Sequence, residues 1–188
     1  MKATFATVDN LVDLLTYLAE DISLSFGKWD SQYVRGPSLY FIVVSELRVD
    51  SFADPLGTNR WPTETARALP EDSTAAVRAA HDVAFDCDGA VVVAADGTFQ
   101  EQMVRVRPAL DGEAADVPYA NWMSAKHLSA IEASVRDEVL AAVTVSEENG
   151  RVSVFKEGTY EDYQRDEIGG RWHSDASPQI EADSGESQ

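Results

Sequence analysis

The sequence predicts a mixed α/β domain in which one central mixed β-sheet is flanked by helices. Three short, predominantly apolar runs read as strands: 90–95, continuous and Val-rich as a strand buried on both faces is, 139–146, a further buried Val/Ala run, and 38–47. A segment with helical periodicity precedes each of them, at 8–26, 73–85 and 124–138. Asp96-Gly97 and Asn149-Gly150 each follow one of the runs and supply hairpin turn chemistry. Helices alternating with strand hairpins pack on a shared sheet. At 188 residues and 44% apolar, the chain can bury a core as one domain.

Residues 8–26 place Leu11, Leu14, Leu15, Leu18 and Ile22 on one stripe, with Asp9 or Thr7 to cap the start and Gly27 at the end. Ser38–Leu47 is the first strong strand. Residues 51–72, rich in Pro, Gly, Asp and Thr, read as a long loop around Trp61-Pro62, of the kind that serves as a lid or binding loop. Ser73–Phe85 reads as the second helix, capped by Asp72 or Ser73. Ala76, Val77, Ala80, Val83 and Ala84 face inward on it, and His81 is a surface or hydrogen-bonded side chain. The strand 90–95 turns at Asp96-Gly97 into Thr98–Arg107, where Phe99, Met103, Val104 and Val106 pack. Residues 108–120 form a second loop. The third helix runs from Ser124 to Glu138 with Met123, His127, Ala130, Ile131, Ser134 and Val135 on one side. Val139–Ser146 is a further buried strand. Glu148-Asn149-Gly150 joins it to a return strand at Arg151–Lys156, since Asn-Gly suits positive φ at both central turn positions. The pattern dissolves near 165. The domain is therefore 1–165, and 166–188 reads as an acidic, disordered tail.

Acids outnumber bases 33 to 15, for a net charge of −18, and only four of the bases are Lys. Such a surface suits high salt, where screening removes self-repulsion. It disfavours nucleic acid, because no basic patch is present to displace counterions. No run is long enough to span a membrane and no basic-then-apolar leader is present, so the expected location is the cytoplasm. The single cysteine, Cys87, reads as a buried small hydrophobe.

Two stretches carry chemistry. Asp88-Gly89-Ala90 opens the central Val run, where rigid structure fixes a carboxylate that still faces a cleft. As a dipeptide, Asp-Gly is also an ordinary turn. Ser124-Ala125-Lys126-His127-Leu128-Ser129 puts a cation and an imidazole in the first turn of a helix. That position disfavours a cation and attracts anions, phosphates above all.

Taken together these stretches are similar to the diadenylate cyclase family, DisA-N type. Its Asp-Gly-Ala motif is matched by Asp88-Gly89-Ala90. Its Gly-Thr/Ala-Arg-His-Arg-Ala-Ala helix start aligns with Ser124 to Ala130. Its Ser-Glu-Glu-x-Gly turn is matched by Ser146-Glu147-Glu148-Asn149-Gly150. The similarity covers about residues 73–160. The middle motif departs, with Lys126 and Leu128 in place of the two arginines, and Lys does not reproduce a bidentate grip. Arg105, Arg107 and Arg136 are candidates to replace it. The resemblance implies condensation of two ATP into cyclic di-AMP with release of two pyrophosphates, in a homo-oligomer that faces its sites head to head. Asp88, Lys126 and His127 would be catalytic. Gly89, Ala90, Ser124, Ala125, Leu128, Ser129 and Glu147 would line the nucleotide. A divalent ion, Mg²⁺ or Mn²⁺, would be carried mostly on the phosphates, with Asp88 and His127 as protein ligands. The alternatives are a nucleotide sensor that keeps the fold without turnover, favoured by the Lys126 and Leu128 changes, and a scaffold with no nucleotide site.

Overall fold

In the computed structural model, which describes residues 8–62, 73–109 and 117–169, the elements are ten. In chain order they are α1 (Val8–Ser25), β1 (Leu39–Val44), β2 (Ala53–Arg60), α2 (Ser73–Asp86), β3 (Val91–Ala94), β4 (Gln102–Val106), α3 (Ala125–Ala133), β5 (Val139–Val145), β6 (Val152–Lys156) and β7 (Thr159–Tyr163). Five strands form the main sheet in the order β3-β1-β5-β6-β7. β1 and β3 are parallel and the other neighbours antiparallel, so the sheet is mixed, as the sequence predicts.

β1 is apolar at every position because helices cover both faces of it. Phe41 and Val43 point into a core made with Leu11, Leu15, Leu18 and Ile22 of α1 and Ala76, Ala80 and Val83 of α2. Tyr40, Ile42 and Val44 point the other way, against Ala130 and Ile131 of α3 and Phe52. The alternation of side chains along a strand divides the Val-rich run between the two layers. His81 on α2 lies 3.1 Å from the Asp21 carboxylate on α1, the hydrogen-bonded helical histidine expected. The proposed caps Thr7, Asp72 and Ser73 fall at or beyond the edges of what is described.

The stretch 51–72 departs from expectation. Residues 53–60 are a strand, and Trp61 is fully buried, stacked on Phe99 at 4.4 Å and edge-on to Phe41. Pro55 and Gly57 hid the strand because they mark an irregularity in it: pairing with β4 breaks between Pro55 and Arg60. Proline is tolerated in β2 because β4 is its one sheet neighbour among the described strands, which leaves its other side with no ladder to complete. The ribbon joins β3 through the bridges Ala90–Val104 and Val93–Phe99.

Three further boundaries differ. α3 stops at Ala133 rather than Glu138, because the Ser134 hydroxyl donates to Ile131 O and accepts from Gly158 N–H, which turns the chain toward β5. At 146–151 only Gly150 has positive φ, and its N–H closes a wider turn onto Ser146 O. The two-residue hairpin lies one strand later, at Glu157 (φ 49°) and Gly158 (φ 72°), leading into β7. Sequence reasoning passed over β7, whose Thr-Tyr-Glu-Asp-Tyr is the polar composition of a sheet edge.

The packed chain also extends past 165, since Ile168 is buried against the α1 side of the core. The tail expected over 166–188 lies mostly outside the described residues. A chain ending at Arg171 should match the urea midpoint of the full chain. One ending at Gln164 should lose about 1.5–3 kcal/mol, the worth of a buried Ile side chain. Equal midpoints for both would show that Ile168 contributes nothing.

Candidate functional site

One edge of the sheet gathers the candidate residues. Because β1 and β3 run parallel and β5 runs against them, the starts of β1 and β3 lie beside the end of β5, where Leu39 pairs with Val145. Asp88 stands just before β3 with its side chain exposed, and its carbonyl accepts from Asn59 Nδ2 at 2.8 Å. Gly89 follows at φ 101°. A Cβ there would lie 2.5 Å from Leu56 Cδ2 and 2.9 Å from Val104 O, so the turn that presents Asp88 requires glycine. Ala90 is buried and starts the strand.

Lys126, in the first turn of α3, reaches across to β5, with Nζ 3.5 Å from Val145 O. Burial pushes its pKa down to about 8, against the pull of the Glu147 and Asp88 charges. Glu147 follows β5, half-exposed, and its carboxylate is held in a fork by Arg35. Nη2 donates to Oε1 at 3.0 Å, and Nε lies 3.0 Å from Oε2. That bond, with the charges of Glu147 and Asp88, holds the Arg35 pKa above its usual value. Two acids and two bases from four segments thus meet at one place: Asp88, Glu147, Lys126 and Arg35.

Arg35 was missed in the sequence. It lies in the connection before β1, with no motif around it. Gly36 is what brings it in. Its N–H donates to Glu147 O at 3.2 Å, and a Cβ would sit 2.7 Å from that oxygen and collide with the Trp29 ring.

His127 turns inward. It is 1% exposed, between Trp122 (5.0 Å, edge-on) and Phe155. Its Nδ1 lies 3.1 Å from Ser124 N and 2.9 Å from Ser124 Oγ. A backbone N–H can only donate, so Nδ1 carries the lone pair and the neutral ring keeps its proton on Nε2. Burial, then the Lys126 and Arg151 charges, push its pKa down to about 4. The ring therefore closes the start of α3 as a capping-box partner of Ser124. Neither ring nitrogen is presented to the edge where Asp88 and Lys126 meet.

The remaining candidates scatter. Ala125 is exposed, and Leu128 and Ser129 are half-buried. Arg107 pairs with Asp54 at 2.9 Å, and Arg136 donates to Pro108 O and lies over the Phe52 ring. Arg136 precedes β5, so both belong to the opposite end of that strand. Arg105 is exposed on β4, opposite Asp54.

As donors for an ion, the edge offers the carboxylates of Asp88 and Glu147. Among the described residues no group of three His, Cys, Asp or Glu side chains is arranged to hold a metal. Two oxygen ligands fit an ion such as Mg²⁺ that takes the rest of its shell from water and substrate phosphates.

No protein family's sequence model matches the chain, and no curated protein sequence does. Its likeness is to solved structures. The hypothetical membrane spanning protein from Bacillus cereus superposes with a TM-score of 0.50 at 15% identity, over 81% of this chain and 63% of that one. This chain therefore spans less than two thirds of that protein's length. A doubly substituted DacA from Staphylococcus aureus superposes with a TM-score of 0.47 at 14% identity, over 84% and 89% of the two chains. At these identities the likeness is one of fold. Among the described residues, no helix is long and apolar enough to cross a membrane.

Proposed function

We propose that this domain condenses two ATP into cyclic di-AMP. The observation that carries the reading is the convergence of Asp88, Lys126 and Glu147, one from each matched motif, on a single edge of the sheet. Residues 88, 126 and 147 have no structural need to meet, since none packs in the core. In this reading the Asp88 carboxylate accepts the proton of a ribose 3′-hydroxyl. The hydroxyl oxygen forms a bond to the α-phosphorus of a second ATP, carried by a second copy of the chain facing the first. The bond from that phosphorus to the β-phosphate bridge breaks, and pyrophosphate leaves. The same step with the roles exchanged closes the ring. Lys126, still mostly protonated at neutral pH, holds phosphate oxygens and offsets the developing charge. A divalent ion would be held by Asp88 and the phosphates, and would supply charge neutralisation to the leaving pyrophosphate. His127 acts through Ser124, by fixing the turn from which Lys126 projects.

The test is incubation with ATP and Mn²⁺ or Mg²⁺ in molar KCl, the condition that the −18 charge favours, followed by chromatography of the nucleotides. Cyclic di-AMP should form, at a rate per protomer that climbs with protein concentration. ATP binding without any cyclic product would favour the second reading, a nucleotide sensor. Two observations speak for that reading: Glu147 is already paired with Arg35, and His127 is buried.

The low pKa of Lys126 gives a further expectation. The free site loses the Lys126 proton near pH 8, and a bound polyanion restores it, so binding above that pH takes up a proton. ATP affinity should be level up to about pH 7.5 and then fall, approaching about tenfold per pH unit. Lys126→Arg should flatten the profile. Calorimetric titrations from pH 6.5 to 9.5 would read it, and an unchanged affinity at pH 9.5 in the wild type would remove Lys126 from the phosphate site.

A further inference from the structure

The Arg35–Glu147 pair is unlike the other ion pairs on this surface. The Arg35 side chain is 77% exposed, and an exposed pair of this kind stabilises a fold little. Yet both carboxylate oxygens are engaged, and the backbone bond from Gly36 to Glu147 O holds the guanidinium in place. The pair also sits within the fields of Lys126 and Asp88.

We propose that Arg35 is a phosphate-binding residue of the nucleotide site, held on Glu147 until a polyanion arrives. The proposal rests on the nucleotide reading above and adds to it the residue that grips the phosphates and the order in which charges exchange. A triphosphate brings several negative charges to an edge that already carries two carboxylates. Lys126 alone is a single point charge, half-buried and directed at Val145 O. A guanidinium fork fits a phosphate as it fits a carboxylate, so Arg35 can change partners without changing its hydrogen-bond pattern. Being exposed, it moves without unpacking the core, pivoting at Gly36, which stays pinned to the strand end. Its departure leaves the Glu147 carboxylate unpaired beside the incoming phosphates. Anion binding then creates a ligand for a divalent ion, and the two should bind with positive cooperativity.

The test uses calorimetric binding of inorganic tripolyphosphate and of adenosine, first in EDTA and then with Mg²⁺. Wild type, Arg35→Gln, Arg35→Lys, Glu147→Gln and the Arg35→Gln/Glu147→Gln double variant are compared, each shown by its melting curve to be folded. Arg35→Gln should weaken tripolyphosphate binding by about tenfold or more, as loss of a charged hydrogen-bond pair does, and leave adenosine binding unchanged. Arg35→Lys should recover only part. Without metal, Glu147→Gln should bind tripolyphosphate several-fold more tightly than wild type, because the arginine is released. That gain should vanish in the double variant. An Arg35→Gln protein that binds tripolyphosphate as wild type does overturns the proposal and leaves the nucleotide reading standing. So does a Glu147→Gln gain that persists without Arg35, since it would be simple loss of repulsion. A wild type that binds neither ATP nor tripolyphosphate overturns the nucleotide reading itself.

Discussion

Asp88→Asn should lower cyclic di-AMP formation by a factor of about 10²–10⁴, the range expected when a positioned general base is removed. The change keeps the shape of the side chain and discards only its charge. Because Asp88 is exposed and its structural bond is made by its backbone carbonyl to Asn59, the fold should be untouched. ATP binding should persist, since one repulsive charge is lost from beside the phosphates. The measurement is initial rate and ATP affinity on the same preparation. If kcat falls and affinity holds, the carboxylate acts in the transition state. A variant that turns over ATP at the wild-type rate would remove Asp88 from the chemistry, whatever the fold.

The other large effect concerns stability. Trp61→Ala should cost about 3–5 kcal/mol, as for a large aromatic removed from a rigid core. Trp61 is fully buried, lies flat on Phe99 with 10° between the rings, and meets Phe41 of the central strand. Its loss would remove the aromatic packing between the end of β2, Phe99 and the central strand. Urea denaturation followed by far-UV circular dichroism gives the value. A cost under about 1 kcal/mol would match a residue on a mobile flap, which is what the composition of 51–72 suggested.

What was legible followed from burial. The runs at 39–44, 91–94 and 139–145 are apolar on both faces, and hydrophobic pattern alone found them and the helices between. β2 was not legible, because its Asp-Pro-Leu-Gly-Thr-Asn carries an irregular pairing, and irregular strands share the composition of loops. β7 was hidden because an edge strand is polar for its own reasons, and its turn uses Glu157 at positive φ where Asn or Gly would have announced it. At the site, Asp88, Lys126 and Glu147 were found from motifs, since each sits at the end of an element whose position the pattern sets. Whether a side chain points in or out was not set by motif. The same helical turn sends Lys126 to the edge and His127 inward, because the N3 position lets the ring reach back to Ser124. Arg35 could not be found, for its relevance depends on a backbone approach between residues 36 and 147.

The placement of β1 also governs when this chain can fold during synthesis. β1 pairs with β5 at six positions on one side and with β3 at four on the other, so the centre of the sheet stays open until residues 139–145 have left the ribosome. α1, though made first, packs its stripe partly on Ala141, Val143 and Val145 and has no complete surface before then. The nascent chain must carry an exposed Phe-Ile-Val-Val segment through the making of about a hundred further residues, and contacts this distant in sequence are slow to close. The net charge of −18 acts in the same interval, since like-charged copies repel one another.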